Sequence, residues 1–172
     1  MSAAAARPPV VDNVRVHVYL PMTLSALADV LRDGAVRPAP IDGFTVTAGL
    51  RAELAGEDDE ELEYTAQNRA AANSLPRLAG DPAAPRRRVV LVVDVEPDAL
   101  DDADGLATGA VVLREEVDLA RVVSALVDDP VAAADVARVI EAPDDAEALS
   151  DLEDHQLLWF AAQELADLVT ER

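Results

Sequence analysis

Cysteine and lysine are both missing from this chain, aromatic residues are scarce at 3%, and only seven glycines occur. Without cysteine there is no disulfide, no zinc–thiolate site and no thiol nucleophile. The glycines form no phosphate-cradling loop, so no nucleotide cofactor is expected, and no other cofactor is indicated. No apolar run approaches the length of a membrane span. The opening MSAAAARPPVVDN lacks the basic and continuous apolar regions of a secretory signal, so the expected location is the cytoplasm. Positive charge is also short: 14 basic residues, all arginine, face 34 acids, for a net charge of −20. That balance opposes nucleic acid and anionic membrane as partners. The run Arg86-Arg87-Arg88 is too small a footprint to reverse it and reads as a solvated loop. The joint scarcity of Lys, Ile, Asn, Phe and Tyr, whose codons are AT-rich, points to a high-GC genome.

What is present is a large supply of small apolar residues. Hydrophobic residues are 51% of the chain, mostly Ala, Val and Leu, enough to bury a core in a domain of this length. Residues 1–12 read as a disordered lead and 13–172 as one α+β domain. A small mixed or antiparallel sheet of four or five strands, packed by helices, is expected. VRVHVYLP alternates Val14, Val16, Val18 and Leu20 against Arg15, His17 and Tyr19, which predicts a half-buried strand. The spacing of Leu24, Leu27, Ala28 and Leu31 predicts a helix opened by Thr23 or Pro21 and stopped at Gly34. IDGFTVT holds a short strand, and 48–82 reads as helix, broken near Gly56 and again near Pro76. RRRVVLVVDVEP is a strand buried on both faces, and its nearness to ATGAVVLREEV predicts an antiparallel pair. ARVVSALVDDP then reads as a strand, VAAADVARVIEA as its helix, and about 151–170 as a C-terminal helix. Arg15-Val16, Leu20 and Ala28-Asp29-Val30 recur at one offset as Arg121-Val122, Leu126 and Ala134-Asp135-Val136. A real repeat would mean two like strand–helix units, as in ferredoxin-like folds.

Candidate chemistry is thin. Asp151 and His155 are spaced to share a helix face and orient an imidazole, but three or four metal ligands and the Glu-x-x-His spacing are absent, so no metal is expected. No serine lies in a Gly-x-Ser-x-Gly elbow, and no catalytic residue is assigned. Arg15, His17 and Tyr19 put a cation, an imidazole and a phenol on one strand face, a candidate anion site or simply the wetter side of a sheet. Tyr64 and His155 complete the candidate ligand-binding set, with Glu164 as a further group for an enzyme. The acidic stretches at 57–63 and 101–104 do not match an EF-hand and read as solvated.

In EDHQLLWFAAQEL, the helical reading puts Leu158, Ala161, Ala162 and Leu165 on one apolar stripe and leaves Trp159 and Phe160 outside it, between Gln156 and Gln163. The stretch from Gln156 to Gln163 has no charge, so the expectation is a helix buried on two sides; the alternative is an interaction face of Gln156, Trp159, Phe160 and Gln163.

The motifs Tyr19-Leu20-Pro21-x-Thr23-Leu24, Glu60-Glu61-Leu62-Glu63-Tyr64-x-Ala66 and His155-x-Leu157-Leu158-Trp159-Phe160-x-x-Gln163-Glu164-Leu165 together resemble a family of short, acidic actinobacterial proteins of unknown function. The resemblance covers about 14–168, with Phe160 where Tyr is expected. It implies an intracellular actinobacterial protein and supplies no activity. The composite expectation leans away from an enzyme, toward a protein-interaction or regulatory module with a protein partner or self-association. The alternative is a small-ligand binder or enzyme near His155 or the Arg15/His17/Tyr19 face.

Overall fold

The structure, a computed structural model, describes residues 14–170; the expected disordered lead, 1–12, lies outside the described residues. The strands are β1 (Val16–Met22), β2 (Ala35–Val36), β3 (Ile41–Phe44), β4 (Val89–Val95), β5 (Leu100–Asp102), β6 (Ala110–Leu113), β7 (Val117–Asp118), β8 (Val122–Asp128) and β9 (Leu157–Ala161). The helices are α1 (Leu24–Asp33), α2 (Ala48–Glu53), α3 (Asp59–Gly80), α4 (Ala133–Glu141), α5 (Ala146–Glu153) and α6 (Leu165–Thr170). The class is α+β, but the sheet has seven antiparallel strands, in the order β5-β6-β3-β1-β4-β8-β9, where four or five were expected. The extra strands are short, and β5 and β9 carry no alternation that periodicity could register.

Apolar side chains leave the sheet on both faces. Val18, Leu20 and Met22 of β1, with Leu91 and Val93 of β4, meet Leu27 and Val30 of α1 and Leu165 and Leu168 of α6. Tyr19, Val90, Val92 and Leu126 meet Leu50 of α2 and Leu62, Ala66 and Ala70 of α3 on the opposite face. The β1 alternation is therefore correct in parity, yet Val18–Met22 is buried on both sides, because helices cover both faces. The α3 stripe of Leu and Ala lets that helix lie close against β1 and β4. A third cluster joins Leu78 of α3 to Val136 and Val139 of α4 and Ala148 and Leu152 of α5.

Local signals set most boundaries. The Thr23 hydroxyl accepts from the Ala26 N–H at 3.1 Å to start α1, and Gly34, at φ 75°, ends it. Asp58 caps α3 by accepting from the Glu61 N–H, with Asp59, Glu60 and Glu61 in the first turn, where the macrodipole favours them. The break near Gly56 is present. The break expected at Pro76 is not: α3 runs through it, because Pro76 lies on the exposed side, where the carbonyl it strands can be hydrated, while Ser74 and Leu78 on either side are fully buried.

Three further expectations are corrected. β4 does not pair with β6; its two edges are taken by β1 and β8, while β6 lies between β3 and β5. The offset similarity does fall on two strand–helix units, β1–α1 and β8–α4. However, α1 packs over the sheet with α6, whereas α4 packs against α3 and α5, so the units do not form a ferredoxin-like layer. Finally, 151–170 is not one helix. It holds the end of α5, then strand β9, a 3-10 turn and α6. The free edge of β8 offers backbone partners to Leu157–Ala161, and that tertiary pairing outweighs helical spacing.

Candidate functional site

Between α3 and the α5–β9 connection lies a cavity of about 770 Å³. Its floor includes Leu126 of β8 and Leu157 of β9, and Ala72 and Leu75 of α3 form one wall. The long α3 helix carries Glu60, Glu61, Glu63 and Tyr64 to its mouth, and Glu153, His155 and Gln156 close the opposite side. Carboxylates around an apolar floor attract a cationic group with an apolar stem. Beneath the wall, the phenol of the buried Tyr19 is pushed above its ordinary pKa by burial; a bond with Gln67 opposes the shift and Glu63 adds to it.

The far wall is pinned by a buried ion pair. Arg88 meets Asp128 at 2.8 Å through Nη2 and at 2.9 Å through Nε, and the Arg88 backbone N–H donates to the same carboxylate at 2.7 Å. The Arg88 guanidinium also donates to the carbonyls of Leu152 and His155, fixing the loop between α5 and β9. The run expected to be solvated therefore contains an arginine that organises the site. Arg86 and Arg87 also donate to backbone carbonyls, those of Leu78 and Asp128.

His155 does border the cavity, but its expected partner is wrong. Its Nε2 lies 2.9 Å from Asp135 of α4, while Asp151 pairs with Arg138. The interruption of the helix before β9 turns His155 away from Asp151. The bond to His155, aided by Arg138, holds the Asp135 carboxyl below its ordinary pKa.

The edge formed by β9 is the second component. The Asp128 N–H donates to the Arg88 carbonyl at 3.1 Å, so Asp128 and Leu126 turn their backbone groups toward β4. The intervening Val127 and Ala125 therefore bond to their register partners in β9, Leu158 and Phe160. It follows that Leu157, Trp159 and Ala161 direct their N–H and C=O groups away from the sheet. The Ala161 N–H is met at 2.7 Å by the Glu164 carboxylate. Among the described residues no strand pairs with the outer side of β9.

Side chains alternate along the same strand. Leu157 and Trp159 stand on the α3 face with the cavity, and Leu158 and Phe160 on the face of α1 and α6. Trp159 is 62% exposed and Leu158 40%, whereas Phe160 is partly buried against the core. The expected burial of Trp159 in a two-sided helix is overturned: strand geometry separates the aromatic pair and puts the indole beyond the cover of α3.

Of the sequence candidates, Tyr64, His155 and Gln156 line one cavity, and Trp159 is on the edge beside it. Gln163 lies in the exposed turn beyond β9. Arg15, His17 and Tyr19 do not line this cavity. Arg15 pairs with Asp94 and Glu96, His17 is exposed, and Tyr19 is covered by α3. The acidic loop around Asp104 is not merely solvated. Asp104 accepts from the Thr47 hydroxyl at 2.6 Å and from the N–H groups of Gly109 and Gly49 at 2.6 and 3.1 Å. Burial raises its pKa, but these bonds outweigh burial and hold it below the ordinary value. No group of three or more His, Cys, Asp or Glu among the described residues could hold a metal ion. Nor is any helix among them long and apolar enough to cross a membrane.

Glu153, Asp135 and Arg88 were missed as site residues, and only the Arg86–Arg88 run beside a buried strand signalled any of the three. Glu164, named as a further group for an enzyme, meets the Ala161 N–H. The model of a family of unknown function (DUF6912) matches residues 16–169, and the chain belongs to that family. No curated protein and no solved structure matches it.

Proposed function

We propose that this member of a family of unknown function is a cytoplasmic, single-domain protein-interaction module, which docks its partner at β9 and the acidic groove behind it. The observation that carries the reading is the uncharged edge strand LLWFA, with the only tryptophan of the chain 62% exposed on it. A long aromatic side chain held on a rigid element, beside free backbone groups, has the character of an interface anchor. The opposite sheet edge, β5, is blunted by the exposed Asp101 and Asp102, a common protection against unwanted pairing. β9 has no such charge within it. The net charge of −20 favours a protein partner over nucleic acid.

A photo-crosslinking residue placed at 159 in the living cell tests this, with the same residue at Leu106, an 89% exposed position far from β9 in sequence, as control. A discrete adduct from position 159 and none from 106 is expected. No adduct, or the same adducts from both positions, sinks the reading.

The second reading is a small-ligand binder or enzyme, favoured by the convergence of Tyr64, Glu153 and His155 on one cavity. It requires that His155→Ala, with the fold intact, alter ligand binding or turnover. A folded His155→Ala variant that retains the crosslink and all partner binding counts against it.

A further inference from the structure

The partner class and its mode of docking follow from three properties of β9, and this step rests on the interaction-module reading above. We infer that β9 accepts a short extended segment of a basic protein as an eighth strand, with arginine or lysine at the alternate positions that face Trp159 and the acidic groove.

The backbone supplies the mode. Leu157 and Trp159 each present an outward N–H and C=O, while Leu158 and Phe160 spend theirs on β8, and the Ala161 carbonyl opens the 3-10 turn that follows. Extended backbone is the complement of such a row, and it is the basis of strand-addition recognition. The Ala161 N–H is already taken by Glu164, so the docking row ends there.

Charge supplies the chemistry. Every second side chain of an added strand falls on the face shared by Trp159, Leu157 and the cavity. Glu60, Glu63 and Glu153 line that cavity, with no lysine in the chain to offset them. Arg88, the single arginine lining it, is committed to Asp128. An arginine or lysine arriving there meets carboxylates and can lay its stem or guanidinium on the indole.

The same two observations weigh against a second copy of this chain. Two molecules of charge −20 repel. Antiparallel self-pairing centred on Trp159 sets Leu157 opposite Ala161, whose N–H is occupied.

The test is panning of a random nonapeptide display library on the full chain at low ionic strength. Selected peptides are then labelled and titrated by anisotropy. The expected result is enrichment of Arg or Lys at alternate positions. Binding should weaken about tenfold when alternate peptide amides are N-methylated, the equivalent of one or two lost hydrogen bonds. It should weaken further between about 0.05 and about 0.5 M salt. Trp159→Pro removes one outward N–H and the indole while leaving the β8 ladder intact, and a folded variant should lose binding; Trp159→Phe should keep most of it. N-methylation needs no protein variant, so the inference stays testable if Trp159→Pro does not fold.

Selected peptides without a basic excess, or peptides indifferent to N-methylation, overturn strand addition while leaving the module reading in place. A failure to enrich any peptide, with a dimer in sedimentation, assigns the edge to a second copy and overturns it too. Spermidine binding as tightly as the best peptide, with no crosslink at 159, removes both readings in favour of a small-cation site.

Discussion

Single side chains decide how the groove is held. Arg88 and Asp128 are 10% and 0% exposed at their side chains, so neither can be hydrated if its partner is removed. Removing one half of a buried pair is far costlier than replacing both halves with apolar groups. Arg88→Met should therefore destabilise the protein by about 3–5 kcal/mol, and Arg88→Met with Asp128→Leu should recover much of that loss. Urea unfolding of the three proteins checks the order, and equal losses in the single and double variants would contradict it. Asp104 is an analogous keystone nearer the solvent. A Cβ on Gly49 would lie 2.3 Å from its Oδ2, so the carboxylate approaches α2 closely only because that residue is glycine.

At the scale of the element, β9 shows how one glutamate limits an edge. Glu164 folds back from the turn before α6 onto the Ala161 N–H, and so both caps the turn and shortens the available row. Glu164→Ala should free that donor. We expect faster amide exchange at Ala161 and concentration-dependent self-association, read by hydrogen exchange and sedimentation, because an uncapped apolar edge pairs with its own kind. Unchanged exchange at Ala161 would mean the carboxylate contributes nothing to edge protection. The short strands were poorly legible for a related reason. β4, with Val89–Val93, is recognisable from its unbroken apolar run, and α1 from its caps and periodicity. β9 contains Leu158, Trp159 and Phe160 in succession, a pattern that fits a helix as well as a strand until β8 offers its edge.

For the whole molecule, charge and fold pull in opposite directions as pH falls. Protonation relieves the repulsion of a chain at −20. It also removes carboxylates that the fold stabilises. Asp135, through its bond to His155 and then Arg138, and Asp104, through bonds that outweigh its burial, both have folded pKa values below their unfolded ones. Each contributes stability that is fully present above the unfolded carboxylate pKa and is lost as pH falls through the folded value. Urea midpoints should therefore decline through and below about pH 3.9, the ordinary aspartate value. Asp104→Asn should flatten that decline. A wild-type midpoint that rises steadily into acid would show that relief of repulsion wins.

By itself the sequence determined the class and the local grammar: a core of small aliphatics, the caps at Thr23 and Gly34 and the buried run of β4. These are contacts within a few residues of each other, or periodicities that any packed neighbour would satisfy. The strand order, the pairing of His155 with Asp135, the burial of Arg88 on Asp128 and the conversion of LLWFA into an edge strand were decided only by tertiary structure. His155 and Asp135 are 20 positions apart and Arg88 and Asp128 are 40, and the identity of the partner is set by which backbone edge or carboxylate the assembled sheet brings within reach.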